Sequence, residues 1–255
     1  MFVKNKYYWF NSVISPEDSQ KIIDTGLFEL NNKKKQGVST EAHTYGNEEK
    51  GSKPNSTPKN QKSNQQLLKE GIDIKNTYIR DSEVVWLKDQ WIYDLILPFV
   101  FEANQKAGWN FQLDKTESFQ FTVYNSPGGF YGWHTDGDGD IHAAYKRFIY
   151  GITDNKHAPK NGRNVNRYIK DDELIGKVRK ISLTLNLNKP GEYEGGNLMF
   201  DYGTHSDNEQ FVECTENRPQ GSLIIFPSFM PHCVTPVTKG TRYSLVLWVL
   251  GDPFK

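Results

Sequence analysis

A histidine and a carboxylate lie two residues apart in the sequence, at His134 and Asp136. Side chains of an extended segment alternate between its two faces, so these two share a face and can converge on one metal ion. A second histidine, His232, follows a β-rich run far downstream. Two imidazole nitrogens and one carboxylate oxygen on three corners of an octahedron leave three positions open, which is the facial ligand set of Fe(II). His134, Asp136 and His232 are therefore the candidate metal ligands.

An arginine follows the second histidine by ten residues, at Arg242. The strand pattern around it is otherwise apolar, with Leu245 and Val246 among its members. An arginine in such a setting is rarely left without compensation, because an unpaired interior charge is costly. Its planar fork suits a carboxylate, and the sequence offers no obvious internal acid for it. The pattern therefore predicts that Arg242 binds the carboxylate of a ligand.

The overall composition excludes several classes of protein. The 255 residues contain 31 Lys+Arg and 31 Asp+Glu, and a net charge of zero argues mildly against a duplex nucleic-acid partner. The two cysteines are too few for a disulfide framework, and no apolar run resembles a signal peptide or reaches membrane-spanning length. We therefore expect a soluble, cytoplasmic protein with no membrane partner, in a reducing setting that keeps iron ferrous. The sequence gives no information on oligomeric state.

Two helices are predicted in the first half of the chain. Ser15 followed by Pro16 and two acids is typical of a helix start, and apolar residues at helical spacing between Trp91 and Ala103 predict a second helix that Pro98 should kink. Residues 31–66 are polar and predict a long loop.

The second half of the chain is rich in short β runs separated by turns. Strands are predicted at 78–87, 118–124, 180–187, 197–200, 222–226 and 242–249. This pattern favours a mainly β (α+β) fold, a double-stranded β-helix or jelly-roll core with N-terminal helices packed on it. We expect one domain over residues 1–255, helical and loop-rich in 1–115, with the jelly-roll core at about 116–251 and a charged insertion at 140–180.

The segment from His232 to Arg242 resembles the distal histidine and the 2-oxoglutarate-binding arginine of the 2-oxoglutarate/Fe(II)-dependent dioxygenase superfamily. It is most similar to the prolyl 4-hydroxylase-like branch. Further features that match this branch are Tyr124, Tyr131, the segment 193–198 and the strand pattern 80–87. The resemblance covers roughly residues 80–249.

The resemblance implies roles for the matching positions. His134, Asp136 and His232 would bind Fe(II), and Arg242 would hold the distal carboxylate of 2-oxoglutarate. Ser244 and Tyr124 would assist Arg242, Asn186 would line the co-substrate pocket, and Trp248 would pack beside the metal. The implied cofactors are Fe(II), the co-substrate 2-oxoglutarate and O₂, with ascorbate as an optional addition.

The reaction implied by the resemblance is hydroxylation of a C–H bond of a prolyl or other amino-acid or peptide substrate, with release of succinate and CO₂. A carboxylate at position 136 favours hydroxylation, because the related halogenases lack it. Two departures from the branch, the 140–180 insertion and Asn197 in place of an acid, bear on the substrate, which could be a peptide, a protein or a small molecule.

Three other functions stay open on the sequence alone. A jelly-roll module could sense iron or 2-oxoglutarate without catalysis, and the same enzyme class could hydroxylate another small metabolite or a modified nucleobase. A zinc hydrolase could use the same ligands, but Arg242 would then lack its partner. A calcium loop at Asp136 is excluded, because Ile141 and Arg147 stand where glycine and glutamate are needed.

Overall fold

The computed structural model describes residues 5–42, 80–136, 177–203, 210–252 and 254. The helices are α1 (Pro16–Lys35) and α2 (Gln90–Lys106). The strands are β1 (Tyr8–Phe10), β2 (Arg80–Asp81), β3 (Glu83–Leu87), β4 (Lys115–Thr116), β5 (Phe119–Asn125), β6 (Phe130–His134), β7 (Val178–Asn186), β8 (Tyr193–Gly195), β9 (Leu198–Asp201), β10 (Phe211–Glu213), β11 (Leu223–Pro227), β12 (His232–Val234) and β13 (Val237–Gly251). Most of the predicted 31–66 loop and of the predicted 140–180 insertion lies outside these ranges.

Two antiparallel sheets form the core. The larger sheet has the order β1-β11-β7-β13-β5-β3, with β4 and β8 also paired to β13, and the smaller sheet has the order β10-β9-β12-β6-β2. Phe200 of the smaller sheet meets Phe226 of the larger one edge-on, with ring centroids 5.1 Å apart. Contacts of this kind bury the inner faces of both sheets, and the predicted jelly-roll fold is confirmed.

Both helices pack against the larger sheet. Their buried aliphatic residues join one cluster with residues of β5, β7, β11 and β13; from the helices these are Ile22, Ile23, Leu30, Ile92, Ile96, Val100 and Ala103. Each fully buried Ile or Val side chain contributes about 1.5–3 kcal/mol. A Cβ added to Gly26 would overlap the ring of Phe121, so α1 lies directly on β5. The helices thus cover the outer face of the larger sheet, whose strands line part of the site.

The predicted helix start is confirmed, since the Asp18 N–H donates to Ser15 Oγ at 3.0 Å and Pro16 is the first helical residue. Helix α2 continues through Pro98. No helix in the described ranges combines the length and apolar character needed to cross a bilayer.

The β runs predicted at 118–124, 180–187, 197–200, 222–226 and 242–249 are confirmed as β5, β7, β9, β11 and β13, with shifted ends. The single strand predicted at 78–87 is wrong. Its described part divides at Ser82 into β2, which pairs with β6, and β3, which pairs with β5 in the other sheet. The chain passes from one sheet to the other at Ser82, whose Oγ accepts from Nε of the buried Arg80 at 2.7 Å.

Candidate active site

The two candidate histidines lie directly opposite each other on neighbouring strands, His134 on β6 and His232 on β12. Asp136 follows β6 by two residues, and its N–H donates to Ser228 O at 2.9 Å. His134 Nε2 is 3.7 Å from Asp136 Oδ1, and His232 Nε2 is 3.6 Å from Asp136 Oδ2. One ligand atom from each of the three lies within 4.8 Å of the others. The structure therefore brings the predicted metal ligands together.

Backbone carbonyls fix the orientation of both imidazoles. His134 Nδ1 lies 2.7 Å from Gly132 O, and His232 Nδ1 lies 2.9 Å from Met230 O. A carbonyl oxygen only accepts hydrogen bonds, so each Nδ1 carries the proton and each Nε2 presents a lone pair toward Asp136. This is the usual way in which a protein prepares a histidine to bind a metal.

The charges of the site match those that metal binding requires. Burial, followed by the neighbouring His232, lowers the pKa of His134 to about 3. Burial alone would raise the pKa of Asp136, but His232, His134 and Arg179 outweigh it and hold that pKa at about 2. A neutral imidazole and an ionised carboxylate are the forms that coordinate divalent metals.

Asp136 accepts hydrogen bonds from two residues that the sequence analysis missed, Ser182 and Arg179. Ser182 Oγ on β7 donates to Asp136 Oδ2 at 2.7 Å and lies 2.9 Å from Ser228 Oγ. Arg179 Nη1 donates to the Asp136 carbonyl at 3.4 Å, while Glu117 holds the same guanidinium through two bonds of 2.5 and 2.7 Å. The available signal was the alternation of polar Ser182 and Thr184 with apolar Ile181, Leu183 and Leu185 along β7.

A β-bulge shapes the approach to His134. Between β6 and β12, His232 pairs with His134 but Val234 pairs with Tyr131, so two residues of β6, Gly132 and Trp133, oppose the single residue Cys233 of β12. The extra residue turns Tyr131 to the same side as His134, and their rings stack with centroids 3.5 Å apart. Trp133 points outward and is 44% exposed.

Arg242 lies on β13 in the larger sheet and is only 1% exposed. Its Nη1 donates to Ser244 Oγ at 3.2 Å, and its ζ-carbon lies 5.3 Å from the centroid of the Tyr124 ring. Its Nε has no hydrogen-bond partner, and no carboxylate in the described ranges pairs with it. Gly196, at φ +61°, lies so close that an added Cβ would be 2.9 Å from Arg242 Cδ.

One cavity connects the metal-ligand group to Arg242. Its lining includes the three candidate ligands and the predicted co-substrate residues Arg242, Ser244 and Tyr124, together with Trp248. Asn186 does not line this cavity, which corrects the expectation for that residue. Its Nδ2 donates to the Arg218 carbonyl at 2.8 Å, because Asn186 ends β7 beside the 217–220 turn. The remaining residues fit an iron ion and a dicarboxylate: two oriented histidines, one charged carboxylate and one buried guanidinium with an unused donor.

Comparison with known proteins identifies the class. The profile of the 2OG-Fe(II) oxygenase superfamily matches residues 119–250, about half of the chain, and the chain belongs to this superfamily. The resemblance to this superfamily that the sequence indicated is confirmed. It is 34% identical over 112 residues to a PKHD-type hydroxylase of Klebsiella pneumoniae subsp. pneumoniae, covering 42% of the chain and 46% of that relative. It is 38% identical over 89 residues to PKHD-type hydroxylase YbiX of Shigella boydii serotype 18, covering 34% and 36%. The chain thus spans less than half the length of these curated relatives.

Solved structures share the fold. A viral collagen prolyl hydroxylase from Paramecium Bursaria Chlorella virus-1 superimposes with a TM-score of 0.53 at 16% identity, covering 97% of each chain. A prolyl-4-hydroxylase of Pseudomonas putida gives 0.52 at 15% identity, covering 98% of this chain and 95% of that one. A Trichoplax adhaerens prolyl hydroxylase in complex with a hypoxia inducible factor peptide fragment gives 0.55 at 14% identity, covering 96% and 84%.

Proposed function

We propose that this protein is a 2-oxoglutarate- and Fe(II)-dependent dioxygenase that hydroxylates a C–H bond and releases succinate and CO₂. The observation that carries the proposal is Arg242, a buried guanidinium with an unused Nε donor in the same cavity as His134, Asp136 and His232. A metal site alone fits many functions, whereas a buried cation that lacks an acid calls for an anionic ligand.

Three side chains would hold the metal. His134 and His232 would bind through Nε2, since Nδ1 of each is committed to a carbonyl. Asp136 would bind through its carboxylate, which Ser182 orients by donating to Oδ2. Held by these three residues, Fe(II) would supply the oxidative chemistry of this superfamily with 2-oxoglutarate and O₂.

The other end of the cavity would hold the co-substrate. Arg242 would take the distal carboxylate of 2-oxoglutarate in its fork, and Ser244, already bonded to Nη1, would keep the guanidinium oriented. Tyr124 lies buried against the guanidinium and would exclude water from the ion pair. Gly196 leaves room for this arrangement, because any larger residue there would press on Arg242.

For the substrate we propose a prolyl or other amino-acid or peptide group. The support is the branch of the superfamily and the neighbours, one of which is a collagen prolyl hydroxylase and another of which is in complex with a peptide fragment. We also propose that residues 1–255 form a single domain, with ascorbate as an optional reductant. A cytoplasmic location would suit both ferrous iron and the buried free thiols Cys214 and Cys233.

The test is an anaerobic titration of the purified protein with Fe(II) and then 2-oxoglutarate, followed by visible absorbance. A weak charge-transfer band that appears only with both is expected. The iron-sensing module would give the band but no succinate when O₂ is admitted with a peptide and amino-acid panel. Bound iron without any band would contradict the co-substrate proposal, and hydrolysis that persists without 2-oxoglutarate would favour a zinc enzyme.

A further inference from the structure

Two buried arginines, Arg80 and Arg242, line the cavity, and a third, Arg179, donates to the Asp136 carbonyl; the three differ in how their charge is balanced. Arg179 is paired with Glu117 by two bonds. Arg242 and Arg80 are 1% and 8% exposed, and neither has a carboxylate partner in the part of the chain that the structure describes. An uncompensated buried charge is costly, so each of these two cations calls for an anionic ligand. The proposed function gives Arg242 its anion, so the charge of Arg80 remains to be explained.

Arg80 faces the cavity at the histidine side of the metal group. Its ζ-carbon lies 4.5 Å from the centroid of the Tyr131 ring, and that ring in turn stacks on His134. The guanidinium is therefore held beside the reaction centre by a stack of three planar groups. The β-bulge of β6 makes this stack, because it turns Tyr131 inward.

The hydrogen bonds that Arg80 makes to described residues leave donors on the Nη1/Nη2 edge of its fork for a ligand. Nε donates to Ser82 Oγ at 2.7 Å, and Nη2 makes a long bond of 3.5 Å to Thr122 Oγ1. Nη1 has no hydrogen bond to a described residue, so the Nη1/Nη2 edge can still donate two parallel bonds. Two parallel donors match the two oxygens of one carboxylate. A phosphate carries a second negative charge. Once Arg242 binds 2-oxoglutarate, the described lining has no cation besides Arg80 to pair with that second charge.

We infer that Arg80 binds a free carboxylate of the substrate, and that the substrate is a free amino acid or the C-terminal residue of a peptide. This inference rests on the proposed function, because it assumes that Arg242 is occupied by 2-oxoglutarate. Asp136 is the one acid in the described lining, and it is committed to the metal. The substrate carboxylate would thus neutralise the remaining charge next to the group that is oxidised. An internal peptide residue without an acidic side chain offers only a carbonyl oxygen and would leave that charge unbalanced.

The test compares two probes that differ by one charge, N-acetylglycine and N-acetylglycinamide, by calorimetry on anaerobic protein loaded with Fe(II) and 2-oxoglutarate. We expect the wild type to bind the carboxylate about 10- to 100-fold more tightly than the amide, as for hydrogen bonds to a charged group. Arg80→Gln should remove this preference, and Arg80→Lys should restore part of it. Lys106→Gln removes one exposed cation that pairs with Glu102 and should behave as the wild type.

A structural role for Arg80 predicts different results. If Arg80 only holds Tyr131 and β2 in place, Arg80→Gln will lower the melting temperature of the metal-free protein and weaken iron binding. If it serves 2-oxoglutarate, the variant will weaken the 2-oxoglutarate titration. Either result, or equal binding of both probes by the wild type, overturns the inference. A preference for the carboxylate in protein that shows no charge-transfer band would instead contradict the proposed function and leave Arg80 as an anion site.

Discussion

Replacement of Arg242 by methionine is expected to stabilise the unliganded protein. Arg242 is 1% exposed, its Nε is unsatisfied, and its one side-chain hydrogen bond to a described residue is to Ser244. An unsatisfied buried donor costs about 1–3 kcal/mol. Methionine has a similar length and no charge, so the free energy of unfolding should rise by about 1–3 kcal/mol. Each kcal/mol should raise the melting temperature by about 2–4 °C.

The same variant is expected to lose 2-oxoglutarate. Two charge-assisted bonds from the Arg242 fork to a carboxylate are worth about 1.5–3 kcal/mol each. Their loss corresponds to weakening of about 100-fold to 10,000-fold, at about 1.4 kcal/mol for each factor of ten. Iron binding should change little, because His134, Asp136 and His232 are untouched.

The assay combines thermal unfolding of metal-free protein with the anaerobic 2-oxoglutarate titration. Arg179→Met is the matched control, since it removes an equally buried guanidinium that has an internal acid. It should destabilise the protein, because Glu117 is left uncompensated. An Arg242→Met protein that is less stable than the wild type and still binds 2-oxoglutarate normally would refute the reasoning, because Arg242 would then have an internal partner.

Three further substitutions test the metal end and the co-substrate end separately. Asp136→Ala should abolish turnover and metal binding while the melting temperature of the metal-free protein stays near that of the wild type; full hydroxylation by this variant would exclude the proposed ligand set. Ser182→Ala should weaken iron binding about 10- to 100-fold in a metal titration, because the loss of its hydrogen bond lets the Asp136 carboxylate turn. Ser182→Thr, which keeps the hydroxyl, is the control. Gly196→Ala should raise the KM for 2-oxoglutarate by crowding Arg242, whereas Gly191→Ala, also at positive φ but with nothing within 4 Å, should not; equal effects would point to backbone strain alone.

Local sequence patterns were enough to find those site residues whose orientation is set by the strand that carries them. His134 and Asp136 were identified from period-two alternation, and Arg242 from its place in an apolar run; the structure brings all three to one cavity. Strand existence was predictable for the same reason, because alternation and turn residues are local properties. The strand ends shifted, since hydrogen bonds to neighbouring strands decide where pairing stops.

Features that depend on pairing between distant strands could not be predicted. The bulge that turns Tyr131 inward is a mismatch between β6 and β12, and no property of β6 alone reveals it. The division of 78–87 at Ser82 and the placement of Arg80 follow from pairing with two different sheets. Asn186 was misplaced because its position on β7 fixes its face but not its partner, which comes from the 217–220 turn.

The two ends of the proposed ligand are held by different sheets. The histidines stand on β6 and β12 of the smaller sheet, whereas Arg242 stands on β13 of the larger one. Asp136 connects the sheets, because Ser182 and Arg179 of β7 both donate to it from the larger sheet. The distance between metal and guanidinium is therefore set by these cross-sheet bonds as well as by packing of the core. The weaker iron binding expected for Ser182→Ala would accordingly arise from a loosened Asp136, without a change in any residue that touches the ligand.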